Sequence, residues 1–458
     1  MVSKPLIPVA ASRFRFLFVP SDCMPAIAFL PLDLVPRAGE VAAVTEISKP
    51  ATDSSIFVPD SRRAWIRLAI AVVIGSIGSV GMWSVVVALP VVQGEFNASR
   101  GAASLAFTMV MLGFGAGGVL TGRITDRFGI VTAIGAGIAI MGLGYVGVGY
   151  SSALWQFILL HFAIGLASSA TFGPLMTEAS HWFDRYRGLA VTIAASGNYV
   201  GGAVWPPVLN WGIQSWGWRP THIAVGIFVS VAMTVTVMIL RSQMGGAARR
   251  SHVNAPPPRI DLRLSTNALT AILGLASIAC CVAMSMPQVH IVAYCGDLGY
   301  GAARGAEMLS LMLGFGIVSR IGSGFLADRI GGLRTLLIGS IAQGTALLLF
   351  LFFDSLTSLY VISAMFGLFQ GGIVPSYAII VRESMPAREA ATRVGIVIFA
   401  SVIGMSFGGW ISGVIFDQTG SYGAAFLNGL AWNALNITIV LALLYRARQR
   451  FVLTPSMG

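Results

Sequence analysis

The sequence predicts an all-α membrane protein, with twelve transmembrane helices in two pseudo-symmetric halves of six. Three observations predict it. Hydrophobic residues make up 56% of the 458 and charged residues only 10%, well below the roughly one quarter typical of soluble domains. Many apolar runs reach the roughly 20 residues that a helix needs to cross a bilayer, and a crossing segment must satisfy its own backbone hydrogen bonds, which favours helix. Finally, an eight-residue pattern occurs twice, as Gly122-Arg-Ile-Thr-Asp126-Arg127-Phe-Gly129 and as Gly324-Phe-Leu-Ala-Asp328-Arg329-Ile-Gly331. Its matching residues are all displaced by 202 positions. Each copy lies between two membrane-length apolar runs, so each reads as a tight charged hairpin at a bilayer face.

In chain order, residues 1–63 differ from the rest. They carry prolines and seven Lys or Arg but no span-length apolar run. They are expected to be a disordered cytosolic tail, or the product of a start codon assigned too early, with Met24 as one alternative. The apolar stretch Phe14 to Val19 is too short to span and lacks a small-residue cleavage site, so no signal peptide is expected. The first six-helix half is placed at 64–241, with spans near 65–92, 101–121, 130–150, 153–181, 187–211 and 219–241. A polar, basic, proline-rich stretch, 242–266, reads as a cytosolic linker. The second half is placed at 267–446, with spans near 267–294, 302–327, 332–353, 355–382, 390–415 and 421–445, followed by a cytosolic tail at 447–458. Gly165 and Gly367 repeat the offset of 202 in spans four and ten. The 54 glycines suit close helix packing in lipid. Interior Pro174, Pro206, Pro207, Pro287 and Pro375 suit kinked helices beside a cavity.

The net charge is +11, which topology explains better than nucleic acid does. Of the 29 Lys and Arg, 24 fall on one side if the N-terminus is inside. Three (Arg100, Arg219, Arg304) fall on the other, and Arg67 and Arg320 lie within spans. Such a bias places both chain ends and the basic loops in the cytoplasm of a plasma or inner membrane. The four cysteines, Cys23, Cys280, Cys281 and Cys295, have no CxxC spacing; no disulfide, metal or cofactor is expected.

Arg320 lies eight residues before Asp328, hence about 12 Å above the hairpin end of span eight. That depth is near the middle of a core about 30 Å thick. Such a charge is costly to insert and usually marks a substrate path, and a guanidinium can hold a carboxylate with two hydrogen bonds. Trp83, Asn198, Tyr199, Gln288, Gln370 and Tyr377 are the polar or amphipathic candidates to line a binding cavity with it. His161 and His290 are candidates for moving a proton, because histidine titrates near neutral pH. Against each stands the plainer reading of a packing residue.

Twelve spans with an Asp-Arg hairpin after the second and the eighth resemble the major facilitator superfamily over residues 65–446. A narrower similarity, to the monocarboxylate porter and oxalate:formate antiporter branches, rests on several segments. They are Trp182-Phe-Asp-Arg185-Tyr-Arg187-Gly188, Ser196-Gly-Asn-Tyr-Val-Gly201-Gly202, Trp216-Gly-Trp-Arg219 and Gly94-Glu95-Phe96. The resemblance implies a solute carrier that works by alternating access around a site between the halves, as internal repeats also suggest. It implies a gate latch made by Gly122, Asp126, Arg127 and Gly129 with Gly324, Asp328, Arg329 and Gly331, and a substrate anion held by Arg320. The chain also departs from those branches. Gly316 stands where animal members of the monocarboxylate branch carry an aspartate, and no charged residue lies between Leu68 and Val92, where they carry a lysine. Val394 to Ile415 lacks the second cation of the oxalate-type members. One buried cation fits one carboxylate, so the expected solute is a small monocarboxylate, with protons as the coupling ion left open. The rivals are a proton-coupled drug or metabolite exporter, a carrier of a neutral solute such as a vitamin, and a membrane sensor. An enzyme is least expected, since no phosphate loop, nucleophile elbow or HExxH occurs.

Overall fold

The computed structural model describes residues 14–19, 26–31, 59–242, 262 and 264–448. It divides into two units, Met1–Ile56 and Phe57–Gly458. In the first, Phe14–Val19 pairs antiparallel with Ala26–Pro31, Phe14 opposite Pro31 and Val19 opposite Ala26. This hairpin differs from the expectation that 1–63 carries no fold. Both segments are rich in β-favouring aromatic and branched residues, and the proline stands at a strand end, where its missing N–H matters least. Cys23 and Met24, most of the expected linker, and the residues after 448 lie outside the described ones.

In the second unit, eleven helices among the described residues are long and apolar enough to cross a membrane. They are Arg62–Glu95, Arg100–Phe128, Ile130–Gly149, Leu154–Trp182, Trp218–Ser242, Thr266–Asp297, Ala302–Ile330, Gly332–Phe352, Leu356–Ser384, Thr392–Thr419 and Tyr422–Ala447. Arg187–Trp216 completes the expected twelve. It is a helix of 30 residues whose apolar run is diluted by Ser196, Asn198, Tyr199 and Pro206-Pro207. We number these helices span one to span twelve in chain order. Leu143, Phe352 and Met238 are highly exposed, as expected for a surface whose solvent is lipid.

Local sequence explains where the spans begin and bend. Ser61, Ser99, Ser265 and Ser355 each accept a hydrogen bond from the amide three residues on, which satisfies a backbone donor that the helix itself leaves unpaired. Span one breaks after Gly78, where Ser79 caps the first segment. Span four breaks at the short helix Ser169–Thr171, just before Pro174. Span ten breaks at Gly371-Gly372, before Pro375.

The internal repeat extends to atomic detail. Spans two and eight are both 29 residues long. They end at Gly129 (φ 84°, ψ 162°) and Gly331 (φ 83°, ψ 161°), positive-φ turns that favour glycine. A β-carbon added at Gly165 would lie 2.8 Å from the Cα of Val110, and one at Gly367 would lie 2.8 Å from the Cα of Met312. Val110 and Met312 are themselves separated by the repeat offset of 202. The two glycines therefore make the same close crossing, span four on span two and span ten on span eight. The end of the bundle that carries Gly129 and Gly331 is called the hairpin end below, and the opposite end, with turns at Gly217, Gly301 and Gly420, the capped end.

Candidate functional site

Arg320 is buried, with 8% of its surface exposed, and lies on the seam between the halves. Its Nη1 donates to the Ala195 carbonyl of span five at 3.0 Å, and its Nε to the Gly371 carbonyl at 3.4 Å. Its guanidinium lies 4.3 Å from the centroid of the Tyr199 ring. Among the described residues, no carboxylate forms an ion pair with it. Gly316, one turn toward the capped end, is where the resembling branch has its acid. Here a β-carbon at 316 would lie 2.5 Å from Cδ1 of Tyr199. The aromatic ring thus fills the space that a carboxylate would need. A ring face attracts a cation by about 0.5–2 kcal/mol without cancelling its charge.

Further along span eight, Leu313 and the indole Nε1 of Trp83 meet over Gly202, so spans one, five and eight converge there. Leu313 and Arg320 are seven residues apart, about 10 Å along a helix. Trp83 Nε1 and Asn198 Oδ1 are buried without a hydrogen-bond partner among the described residues. Gln288 donates to Gln370 at 3.0 Å, leaving Gln288 Oε1 and Gln370 Nε2 unpartnered as well. Buried polar groups are rarely left so, and His161 Nε2 is another such atom. The repeat mate of Arg320, 202 residues earlier, is Gly118, so the central charge belongs to one half only.

Two candidates lie elsewhere. Tyr377 donates from its hydroxyl to Asn436 at 2.8 Å, and Asn436 donates to Ser340 at 2.7 Å. That chain ties span ten to spans twelve and nine, so Tyr377 braces the scaffold, a correction to its expected place in the cavity. His161 is fully buried, with Nδ1 2.7 Å from the Phe157 carbonyl and its ring against Phe157 and His222. It packs within an aromatic cluster of the first half that includes Trp218. Two crevices, of about 670 and 420 Å³, lie between spans three and six and beside spans five and eight, and neither includes Arg320.

At the hairpin end, Asp126, Arg127, Asp328 and Arg329 are exposed and form no ion pair among the described residues. A β-carbon at Gly118, Gly122, Gly322 or Gly324 would meet nothing within 4 Å. A little further in, Phe399 of span eleven closes against Gly115. At these four positions, on the hairpin side of the bundle, the helix surface is open rather than packed. One buried ion pair near this end, Arg67 with Glu178, lies inside the first half and ties span one to span four. Glu383, which the sequence did not single out, accepts from the Gly332 amide at 3.1 Å and caps span nine.

The capped end is sealed, and chiefly by Arg100, which the sequence alone places just before the second apolar run. Arg100 of span two forms an ion pair with Asp297 of span seven. It also donates to the Tyr422 hydroxyl at 3.0 Å and to Gln93 at 3.0 Å, and its guanidinium lies 4.2 Å from the centroid of the Phe416 ring. Asp417 accepts from the backbone amides of Arg100 and Gly101, both at 2.7 Å, so a carboxylate of the second half caps a helix N-terminus of the first. Glu95, the repeat mate of Asp297, pairs instead with Arg219 and Trp218 of its own half.

Two repeated six-helix halves, closed at one end, open at the other and with the buried Arg320 on the seam between them, define a membrane transport protein. The chain belongs to the Major Facilitator Superfamily, whose family pattern matches residues 71–355 and 321–455. Monocarboxylate transporter 13 of Bos taurus is 26% identical over 313 residues, covering 66% of this chain and 71% of that one. The agnestins efflux protein AgnL12 of Paecilomyces divaricatus is 25% identical over 327 residues, covering 70% and 73%. Among solved structures, a mutant of the nucleoside transporter NupG superposes with a TM-score of 0.64 at 12% identity, over 84% of this chain and 99% of that chain. A bacterial homolog of the human lysosomal transporter Spinster gives 0.61 at 15%, over 85% and 96%. At such identities the structural likeness establishes the fold alone.

Proposed function

We propose that this protein is a secondary carrier that moves a small organic anion, most readily a monocarboxylate, by alternating access. One observation supports the reading above the others: Arg320 is buried on the seam between the halves with an aromatic ring and two carbonyls for company and, among the described residues, no paired acid. An uncompensated buried charge is strongly unfavourable, so an anion entering the cavity gains affinity by neutralising it. A single cation matches a single carboxylate. The asymmetric lysine and arginine distribution supports a cytoplasmic hairpin end, and on that reading the conformation is open inward and sealed outward. The parted hairpins fit that state, and their closure would accompany outward opening.

Export is the second reading, favoured by the similarity to a protein named for efflux. Both directions share the same site and differ in the gradient that drives it. The test is uptake of labelled pyruvate and lactate into proteoliposomes, with and without an inward-acid gradient, for the wild type and Arg320→Gln. Removing one partner of a buried charged pair costs about 2–5 kcal/mol, and 1.4 kcal/mol is tenfold. The variant should therefore lose about tenfold or more of saturable uptake. A reconstituted wild type that moves neither acid would remove the monocarboxylate reading; unchanged uptake in the variant would make Arg320 structural.

A further inference from the structure

We infer that His290 is a positioning residue of the outward-side latch, and that gain of a proton there opens the capped end. The inference rests on the carrier reading alone and not on the identity of the solute. It starts from a hydrogen-bond chain whose direction is fixed. Arginine can only donate, so the Tyr422 hydroxyl accepts from Arg100 at 3.0 Å. That hydroxyl lies 3.0 Å from His290 Nδ1, while His290 Nε2 lies 2.8 Å from the Gly409 carbonyl. A carbonyl only accepts, so Nε2 carries the hydrogen and Nδ1 accepts from Tyr422. One chain results, from Arg100 to Tyr422 to His290 to Gly409, running through spans two, twelve, seven and eleven.

Only a neutral imidazole satisfies this chain. Once Nδ1 also carries a hydrogen, the Tyr422 oxygen faces two donors and its own hydrogen loses its acceptor. The added charge also lies in a site that already holds the Arg100 cation. The charged and titratable groups around His290 come from every side: Arg100 from span two, Asp417 from span eleven, Tyr422 from span twelve, and Tyr294 and Asp297 from its own helix. Asp297 and Asp417 are already engaged by Arg100 and by the start of span two. Their hydrogen-bonding oxygens are thus committed to holding the halves together. His290 is fully buried in the sealed state, and opening the end would bring water to it. The proton is therefore excluded by the closed arrangement and admitted by the open one, so acid favours opening.

The experiment measures distance across the capped end and uses no substrate. Spin labels go on Ser152→Cys and Asp354→Cys, both at exposed positions of that end, one in each half. The background is Cys23→Ser in the full chain, since Cys280, Cys281 and Cys295 are buried. From pH 7.5 to pH 5, across the range in which a water-exposed imidazole takes up its proton, the wild type should shift toward the longer distance, by at most about tenfold in population ratio per pH unit, the limit for one linked proton. His290→Gln should show a distribution that no longer responds to pH, and Tyr422→Phe, which keeps the ring packing and the imidazole but removes the hydroxyl, a weaker response than the wild type. A wild type indifferent to pH overturns the inference without recourse to any variant. So does a wild-type response retained in either variant.

Discussion

Arg320 and Arg100 are both buried in this protein, and the difference between them lies in their partners. Arg100 is paired with Asp297, so its charge is spent on structure. Arg320 is held in place by the Ala195 and Gly371 carbonyls and the Tyr199 ring, so it is oriented without being neutralised. Gly316 is what permits this, because its missing side chain makes room for Tyr199. Gly316→Asp should displace that ring and put an acid one turn from Arg320, pairing with the cation in place of the solute. We expect it to lower anion uptake by about tenfold or more while the protein still folds and inserts. Uptake at the wild-type level would show that the empty position has no bearing on the site. Arg320 was legible in the sequence because a charge inside an apolar run stands out. Arg100 was not, since Asp297 and Asp417 lie 197 and 317 residues further along the chain and nothing local marks them as its partners. The orientation of Tyr377 was not legible for a related reason: a hydrophobic run records that a helix is buried in lipid or protein, but not which face meets the cavity.

At the scale of elements, two crossings carry the repeat. Span four lies on span two through Gly165, and span ten on span eight through Gly367, in matching registers. Each glycine faces backbone of the helix opposite, so a larger side chain has no rotamer that avoids the contact. Overpacking of this kind costs about 1–3 kcal/mol, occasionally more. Gly165→Leu and Gly367→Leu should each lower the thermal midpoint of the purified protein, measured by the shift of its monodisperse peak after heating. Gly122→Leu, at a position with open space around it, should move it much less. Equal effects at all three positions would contradict the packing described. The elements themselves were largely legible, since a span must be long and apolar and each serine cap precedes its helix. Span five, Arg187–Trp216, was placed as an apolar run near 187–211 although Ser196, Asn198 and the proline pair dilute it. The pairing of Phe14–Val19 with Ala26–Pro31 was missed because the stretch was judged only against the length of a span.

For the whole molecule, the two ends are held by different chemistry. The capped end closes on an ion pair, two backbone amides and a tyrosine that join the first half to spans seven, eleven and twelve. The hairpin end offers exposed Asp-Arg pairs, each worth about 0–1 kcal/mol when it forms at a wet surface. The sealed capped end and the exposed hairpin residues, which form no ion pair among the described residues, are then two aspects of one state, with Arg320 between them. The account stands or falls on whether a carboxylate reaches that arginine. The most direct measurement is equilibrium binding of labelled pyruvate and lactate to the purified full-length protein, comparing the wild type with Arg320→Gln and Arg320→Lys. The account predicts saturable binding of at least one acid by the wild type. It predicts weaker binding by the lysine variant, which keeps the charge but loses the fork, and none measurable by the glutamine variant. Equal binding by the wild type and Arg320→Gln would contradict it.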